Sequence, residues 1–449
     1  MTNNLLTKSL AKAVRSLSLG LALTSGMWAQ SVMNTYTLSD IDLASFQNAL
    51  LPGSISDGRN FLLGGVGSGL WRHPTDDAPN TFWMITDRGP NGLVGSQRTF
   101  PVPGFTPTIL HVRAEGTGLT ILDKFPLVGN SGAGVTGLSN STRDEVPYLI
   151  GIDPMTLNCA VITTPPFPYN SNGLDTEDLV RTHDGIFWLV EEYGPSIVKV
   201  SPTGTVTNRF VPNITTPWGT DFVVTQNLPA IYGLKRKQNR GFEGLALTPN
   251  QKTLFAALQS PLSNPTGAIG NASRNTRILA FDLDSESPSA EYVYRFQPST
   301  EFGTSNPADM KVSAIASISD RKFLVLERTD AIAKIYSVDT KDATNILSTQ
   351  WDNVATTPSL EALADPATAG VTVLPKELIV DLNPALLPGV PQKIEGMTIV
   401  DQFTIAISND NDFDIFPTTI PSGPSCNNVG NTPPVKSKLL LIHLTQPLF

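Results

Sequence analysis

The sequence lacks most of the patterns that mark well-known enzyme classes. It contains no G-x-S-x-G elbow, no P-loop and no dinucleotide-binding fingerprint, so an α/β-hydrolase serine and nucleotide chemistry are unsupported. Its four histidines show neither His-x-His nor His-Glu-x-x-His spacing, so no zinc site is expected. Cysteine is equally scarce. The two cysteines, Cys159 and Cys426, are compatible either with a single disulfide or with two unpaired buried thiols.

Positive charge is scarce as well. The 449 residues carry 31 Lys and Arg against 40 Asp and Glu, a formal net charge of −9 at pH 7. Non-specific binding to nucleic acid requires Lys and Arg to neutralise phosphates, so nucleic acid is excluded as a partner of this kind. An acidic chain is suited instead to binding cations.

Long apolar runs are missing after the first 29 residues. Lys8, Lys12 and Arg15 precede a run of mostly apolar residues that ends before Ala29, which is the pattern of a secretory signal peptide. The run is too short to span a bilayer, which needs roughly twenty residues, although an uncleaved anchor is the alternative. We therefore expect a signal peptide at 1–29, export to the periplasm or the extracellular space, and a mature chain without a membrane span.

The abundant glycine and proline, 35 and 36 residues, separate short apolar segments into a repeated pattern. In residues 173–200 three carboxylates precede an Asp-Gly turn between two apolar runs, which predicts a β-hairpin with acids at its open end. The same order of acid, apolar strand, polar turn, apolar strand and polar exit recurs at residues 240–262 and 393–414, at 311–330 with Ser313 in place of the acid, and in a weaker copy at 64–92 that opens with GSGL. Five copies indicate a repeat protein.

The distance between copies indicates which repeat architecture this is. The recurring position is occupied in chain order by Glu177, Glu243, Ser313 and Glu395. The intervals between them are 66, 70 and 82 residues. This is enough for four short strands with loops, and four-stranded units repeated around an axis form a β-propeller. The sequence thus predicts an all-β propeller with four-stranded blades. Six blades are favoured, and five to seven are admissible.

The repeats run through nearly all of the mature chain without a Pro- or Ser-rich linker. Residues 30–449 are therefore expected to form one domain, and we expect a monomer. Residues 35–38 and 438–444 have the pattern of strands, and pairing between them would close the propeller.

Each repeat places polar residues at the same end of its blade, so together they would form a ring on one face. The predicted metal ligands in this ring are Asp87, Glu177, Glu243, Glu395, Asn409 and Asp410. Crowded carboxylates repel one another unless they are protonated or bind cations. Oxygen ligands of this kind suit Ca²⁺, which accepts roughly six to eight of them in loose geometry. For any single residue of the ring, a solvated turn position is the alternative.

Arginines accompany these acids in three of the repeats. An arginine fork donates two parallel hydrogen bonds, which suits a phosphate or carboxylate ligand, while a salt bridge to the neighbouring acid is the alternative. The predicted catalytic residues are Arg88, Arg240 and Arg328 for contact with the substrate, and Glu192 or Glu327 as the general base.

Six phrases of the sequence resemble the phytase-like family, which is described as having esterase-like activity of phytase. They are DRGPNG at 87–92, LDTEDLVR at 174–181, EEYGPSI at 191–197, NRGFEGLALTPN at 239–250, VSAIASISDRKFLVLERT at 312–329, and IEGMTI with ISNDNDF within 394–413. The resemblance covers roughly residues 57–445. It implies a β-propeller linked by name to the calcium-dependent propeller phytases, and a secreted hydrolase of phosphate esters. The matching acids, as candidate calcium ligands, are Asp87, Glu177, Glu192, Glu243, Glu327, Glu395 and Asp410.

The sequence leads to one preferred function and two alternatives. We expect an exported, calcium-dependent hydrolase of small anionic substrates, in particular phosphate esters. A lactonase or carboxylesterase would instead need one axial metal and a carbonyl substrate. The third possibility is a propeller that binds a partner without catalysis, and Ser313, which stands where other repeats have an acid, favours it.

Overall fold

Short β-strands dominate the structure, as the repeats predict. The computed structural model describes residues 30–55, 59–94, 97–152, 159–162, 166–415 and 433–449. Within these residues the strands are β1 (Gln30–Leu38), β2 (Gly69–Trp71), β3 (Thr81–Ile85), β4 (Gly92–Val94), β5 (Gln97–Phe100), β6 (Thr108–Glu115), β7 (Gly118–Pro126), β8 (Pro147–Ile152), β9 (Cys159–Ile162), β10 (Thr176–Arg181), β11 (Phe187–Glu191), β12 (Ser196–Val200), β13 (Val206–Pro212), β14 (Val223–Leu228), β15 (Phe242–Leu247), β16 (Thr253–Leu258), β17 (Asn275–Asp282), β18 (Ser287–Arg295), β19 (Lys311–Ser317), β20 (Lys322–Arg328), β21 (Ala333–Asp339), β22 (Lys376–Asp381), β23 (Ile394–Asp401), β24 (Thr404–Asn409) and β25 (Lys438–Leu444).

Helical segments are short and lie in the connections between strands. The α-helices are α1 (Leu43–Leu50), α2 (Ala230–Lys235) and α3 (Gly267–Ala272), and single 3₁₀ turns occupy Ser299–Phe302, Pro307–Asp309, Gln350–Asp352, Leu360–Ala362, Pro366–Ala369 and Asp412–Asp414. Asp42 caps the start of α1: its carboxylate accepts a hydrogen bond from Ser45 N at 3.0 Å and so satisfies one of the free amides of the first turn.

In the described residues, most strands assemble into five blades of four antiparallel strands. The first blade is β2-β3-β6-β7, the second β10-β11-β12-β13 with β14 added in parallel, the third β15-β16-β17-β18, the fourth β19-β20-β21-β22 and the fifth β23-β24-β25-β1. The hairpin predicted in residues 173–200 is β10-β11, and Gly185 in its turn has φ +86°. A glycine there avoids the strain that a side chain would cause.

The innermost strand of each blade packs against those of its two neighbours, and these contacts close a ring. The order around the ring is β2, β10, β15, β19, β23 and back to β2. This radial arrangement is that of a β-propeller, which confirms the predicted fold class. The described residues contain five blades, which is within the range of five to seven that the repeats admit and one fewer than the six they favour.

The fifth blade is built from both ends of the described chain. Strand β1 pairs antiparallel with β25, for example Thr35 with Leu440, and this confirms the predicted closure. Strand β1 also pairs in parallel with β7 through Thr37 and Leu38, which joins the fifth blade to the first. Closure by strands distant in sequence protects the edges of both blades.

Aromatic side chains fill the spaces between neighbouring blades. Trp83 of the first blade packs edge-on against Phe187 of the second, with ring centroids 5.1 Å apart. Phe255 of the third blade stacks on Phe323 of the fourth at 4.7 Å. Such pairs contribute roughly 0.5–1.5 kcal/mol each beyond the apolar area they bury, so they help to fix the angle between blades.

A small additional sheet, β4-β5-β8-β9, stands outside the five blades. Its last strand holds Cys159, which is disulfide-bonded, while Cys426 lies outside the described residues. The predicted signal peptide at 1–29 also lies outside them. No helix in the described part of the chain is long and apolar enough to cross a membrane.

Candidate functional site

The recurring acid of each repeat is placed by a β-bulge. In β10, β15, β19 and β23 the pairing with the next strand shifts register at one residue, and these residues are Glu177, Glu243, Ser313 and Glu395. A bulged residue has no direct partner across the ladder, and the bend that it introduces re-aims its side chain. The bulge therefore turns each of these side chains towards the propeller axis, where the innermost strands meet.

A second set of side chains comes from the neighbouring strand of each hairpin. In every blade, the residue that follows the bulge position pairs with a residue of the second strand. Two residues further along that second strand, a side chain lies at the same end of the blade as the bulge residue. These residues are Asp87, Glu192, Gln259, Arg328 and Asp410. Two rings of polar side chains therefore surround the axis on one face.

The densest part of this face is a group of carboxylates that we name the acidic hub: Asp175, Glu177, Glu192, Glu243 and Glu395. One carboxylate oxygen from each of Asp175, Glu177 and Glu192 lies within 4.8 Å of the others. None of the five residues is more than 8% exposed. Within the described residues, Glu192 Oε1 and Glu243 Oε2 are buried without a hydrogen-bond partner.

Burial and mutual repulsion raise the pKa of several hub carboxyls. The pKa of Glu177 is raised well above its ordinary value, first because the side chain is desolvated and then because Glu243 and Asp175 lie nearby. The same two causes raise the pKa of Glu192, again with Glu243 as the largest neighbouring charge. Burial raises the pKa of Asp175 to about 6, although Arg88 opposes the shift. The hub therefore favours either bound protons or bound cations.

The chemistry of the hub fits a hard cation. All its donors are carboxylate oxygens, and calcium prefers such ligands in flexible geometry. Two of these oxygens make no hydrogen bond to the described residues, although buried polar atoms are nearly always paired. Buried, unpaired acceptors in a crowded acidic site are what a cation would satisfy.

Arg328 is bound to the edge of the acidic hub. Its Nε donates to Ser313 Oγ at 2.7 Å, its Nη2 contacts Glu395, and its Nη1 donates to Asp330 at 2.9 Å. Its Nη2 also lies 3.9 Å from Glu243. The guanidinium thus supplies positive charge on the side of the hub where Ser313 replaces an acid.

The two other predicted arginines differ in their surroundings. Arg88 Nη1 lies 3.0 Å from Asp175 Oδ2 and 3.4 Å from Glu145, so its charge is paired. Arg240 is half-buried, and its Nη1 has no hydrogen-bond partner among the described residues. Of the three, Arg240 is therefore the one with a donor that remains available to a ligand.

Asp87 and Asp410 form a second acidic pair beside the hub. The pKa of Asp87 is raised well above its ordinary value by burial and by the charges of Asp410 and Asp175. Asp87 accepts a hydrogen bond from Gly89 N at 2.8 Å, and Asp410 accepts one from Lys393 Nζ at 2.9 Å. Lys393 thus balances part of the charge of this pair.

Two predicted site residues face away from the axis. Glu327 accepts hydrogen bonds from Tyr294 Oη at 2.6 Å and from Lys376 Nζ at 2.7 Å, and neither partner belongs to the hub. The amide of Asn409 donates to Lys436 O and accepts from Lys438 N. Each of them precedes a residue of the second ring, so the alternation of side chains along a strand directs it into the blade.

The structure also adds residues that sequence reasoning did not select. Asp175 lies two places before the bulge residue Glu177 and completes the closest carboxylate group. In the first blade Gly69 pairs with Ile85, and this pair is equivalent to the pair that follows the bulge in each other blade. Ser68, the residue before Gly69, therefore takes the place of the bulge acid in the first blade. Alignment of the repeat phrases identifies Ser68, whereas no repeated signal marks Asp175.

This chain is similar to one curated protein and to solved structures of low sequence identity. An uncharacterized secreted protein from Arthroderma benhamiae is 26% identical over 319 residues, which are 62% of this chain and 61% of the relative. The PQQ-bound aldose sugar dehydrogenase of Streptomyces coelicolor is 10% identical, with 93% of this chain and 98% of that chain covered and a TM-score of 0.34. Regucalcin of Agrobacterium tumefaciens, a calcium-binding protein, is 10% identical, with 85% and 92% covered and the same TM-score.

A family model assigns most of the repeats. The phytase-like model, described as esterase-like activity of phytase, matches residues 63–413. The matched segment begins before the innermost strand of the first blade and ends after Asp410, so it includes both rings and the acidic hub. The chain therefore belongs to the phytase-like family.

Proposed function

We propose that this protein is an exported, calcium-dependent hydrolase of phosphate esters and that its active site is the acidic hub. The observation that carries the proposal is the set of buried carboxylate oxygens without hydrogen-bond partners, in a family named for esterase-like activity of phytase. Export is supported by the signal pattern at 1–29 and by the secreted relative.

Calcium would be held by the carboxylates that meet at the axis. We assign this role to Asp175, Glu177 and Glu243, with Glu395 at the edge of the group because it already contacts Arg328. Asp87 and Asp410 are proposed as a flanking group of ligands. We leave Asn409 out because its amide is bonded to the backbone. When bound, calcium supplies positive charge that offsets the charge of a phosphate group and lowers the pKa of water.

Arg240 is the residue that we assign to the substrate phosphate. Its Nη1 is free to donate. Burial and then the charge of Arg240 lower the pKa of Lys237 to about 8, and burial followed by the charges of Arg328 and Arg240 lowers the pKa of Lys311. These positively charged side chains next to the acidic hub would attract an anionic substrate to the hub. Arg88 and Arg328 instead position Asp175 and Glu395.

Glu192 is the residue that we assign as the general base. Its Oε1 has no hydrogen-bond partner in the described structure, and the residue lies in the tightest group of carboxylates. Glu327 was an equal candidate in the sequence, but its Oε2 is already paired with Tyr294 Oη of the third blade and Lys376 Nζ of the fourth. A proton taken from an attacking water would be held on Glu192 Oε1 and then passed to solvent or to the leaving group.

The test is hydrolysis by the mature protein after EDTA treatment and again after calcium is restored. The substrate panel contains p-nitrophenyl phosphate, p-nitrophenyl acyl esters and a lactone. We expect phosphate release that requires calcium, and a decrease of about a hundredfold to ten-thousandfold in kcat for Glu192→Gln. Glu377→Gln, which changes an exposed glutamate of β22, is the matched control and should retain full activity.

Other results of this experiment would decide between the remaining functions. Calcium-dependent turnover of acyl esters or lactones without phosphate release would contradict the phosphoesterase and support a lactonase or carboxylesterase. A rise in melting temperature with calcium but no turnover would support a non-catalytic binding propeller. Arg328 favours this last alternative, because it occupies a ring position where other blades have Asp87, Glu192 and Asp410.

A further inference from the structure

The opposite face of the propeller carries a second cluster of potential metal ligands. Strands β2 and β3 are joined there by a turn that contains His73 and Asp76, and strands β10 and β11 by a turn that contains His183. The acidic hub lies at the other ends of the same hairpins. The two groups are therefore separated by the length of the innermost strands.

The side chains of His73 and His183 both approach the carboxylate of Asp76. His183 Nδ1 contacts Asp76 Oδ2, and His73 Nδ1 lies 3.2 Å from Asp76 Oδ1. The two imidazole rings meet edge to face, with centroids 4.6 Å apart and planes at 67°. One ligand atom from each residue lies within 4.8 Å of the others.

Local hydrogen bonds orient the first of these rings. His73 Nδ1 accepts from the backbone N of Asp76 at 3.1 Å and from that of Thr75 at 3.3 Å. These bonds turn the Nδ1 edge of the ring towards the carboxylate of Asp76. The ring is therefore oriented before any metal binds, and a metal at this edge would replace these two hydrogen bonds and the 3.2 Å contact between Thr75 Oγ1 and His73 Nδ1.

Both histidines also line a cavity of about 380 Å³ at this end of the axis. Its walls are mainly apolar and include Leu247, Ile399 and Phe449. Four further lining residues have a buried side-chain donor without a hydrogen-bond partner in the described structure: Trp71 Nε1, Arg72 Nε, Gln251 Nε2 and Ser317 Oγ. A cavity of this size with apolar walls and a few polar groups is typical of a small-molecule site.

We propose that His73, Asp76 and His183 form a binding site for a divalent transition metal of the zinc type. Two imidazoles and one carboxylate are the ligands of catalytic zinc centres, in which a further position remains open to water or to a ligand. This donor set differs from the oxygen-only hub, so the two sites select different metals. The open position would face the cavity, because both histidines line it.

The proposed site differs from the expectation that the histidines form no zinc centre, which rested on sequence spacing alone. His73 and His183 belong to different blades and are 110 residues apart, so no spacing motif reveals them. The packing of the first blade against the second brings the two hairpin turns together. A metal bound across these turns would also link the two blades.

In the first experiment Zn²⁺ is titrated into the tag-free mature protein, and binding is measured by isothermal titration calorimetry. Excess Ca²⁺ is present throughout so that sites for hard cations are already occupied. We expect one additional Zn²⁺ site and a rise in the melting temperature, because the metal links two blades. Co²⁺ should give the visible absorption of a site with nitrogen ligands. His183→Ala and Asp76→Asn should weaken Zn²⁺ binding by about a hundredfold or more.

Two control variants test whether Zn²⁺ binds at these three residues and not at another histidine or at the hub. His443→Ala removes a histidine of β25 outside the cluster and should leave Zn²⁺ affinity unchanged. Glu177→Gln alters the acidic hub and should also leave it unchanged. Because His183 is 56% exposed, His183→Ala should fold with the parent melting temperature in EDTA. Equal Zn²⁺ affinity in His183→Ala and the parent, or no Zn²⁺ binding by the parent, would overturn the proposal.

Discussion

Glu191 Oε1 lies 2.6 Å from Arg209 Nη2, and both side chains are completely buried inside the second blade. The same carboxylate accepts hydrogen bonds from Ser196 Oγ at 2.5 Å and from Gly194 N at 3.2 Å. Glu192, the next residue, belongs instead to the acidic hub. Two consecutive glutamates thus have opposite surroundings, one fully paired and the other crowded by like charges.

Substitution of these neighbours should have opposite effects on stability. Glu191→Gln leaves the Arg209 charge buried without its partner, which should lower the free energy of unfolding by about 3–5 kcal/mol. Glu192→Gln replaces a carboxyl whose ionised form is disfavoured by burial and by the charge of Glu243, so the calcium-free protein should be as stable as the parent or more stable. Urea denaturation of both variants in EDTA measures this. A large loss of stability in Glu192→Gln would contradict our account of the hub.

The calcium-free protein should lose stability as pH rises. For a carboxyl whose pKa is raised by folding, the folded state binds more protons than the unfolded state between the two pKa values, so the free energy of unfolding falls across that interval. For Asp175 the interval runs from its ordinary 3.8 to about 6, which corresponds to about 3 kcal/mol. Denaturation in EDTA at several pH values should show this fall. Saturating calcium should remove it, and Glu192→Gln should reduce it.

Arg240→Gln should weaken the binding of phosphate esters while calcium binding stays intact. A hydrogen bond to a charged group contributes roughly 1.5–3 kcal/mol, so we expect KM to rise about tenfold to a hundredfold. Steady-state kinetics and calcium calorimetry on the same preparation would measure both quantities. Arg113→Gln, at a 44% exposed side chain of β6, is the control. An unchanged KM would show that Arg240 does not contact the substrate.

The closing blade should be sensitive to the loss of side-chain volume. Leu440 of β25 is fully buried and lies in a strand that pairs with both β24 and β1. Leu440→Ala should lower the free energy of unfolding by about 2–5 kcal/mol, because a cavity remains where the side chain was. Leu386→Ala, at a 57% exposed position, should change stability little. Similar effects of the two substitutions on urea unfolding would contradict this packing.

The repeat pattern alone determined the fold class, the closure of the ring and most of the acids at the axis. The reason is that hairpin turns and alternating apolar residues are local signals, which are present in each copy. Pairing of 35–38 with 438–444 followed from the same logic, since a propeller requires its last blade to be completed. The copies did not fix the number of blades, because loops of unequal length separate them.

Tertiary structure decided which polar residue of each strand end faces the axis. Glu327 and Arg328 were both candidates in the sequence, as were Asn409 and Asp410, and in each pair only the second belongs to a ring. A β-bulge shifts the alternation of side chains by one residue, and its position depends on pairing with the next strand. The meeting of His73 with His183 likewise depends on how two blades pack, which no local pattern contains.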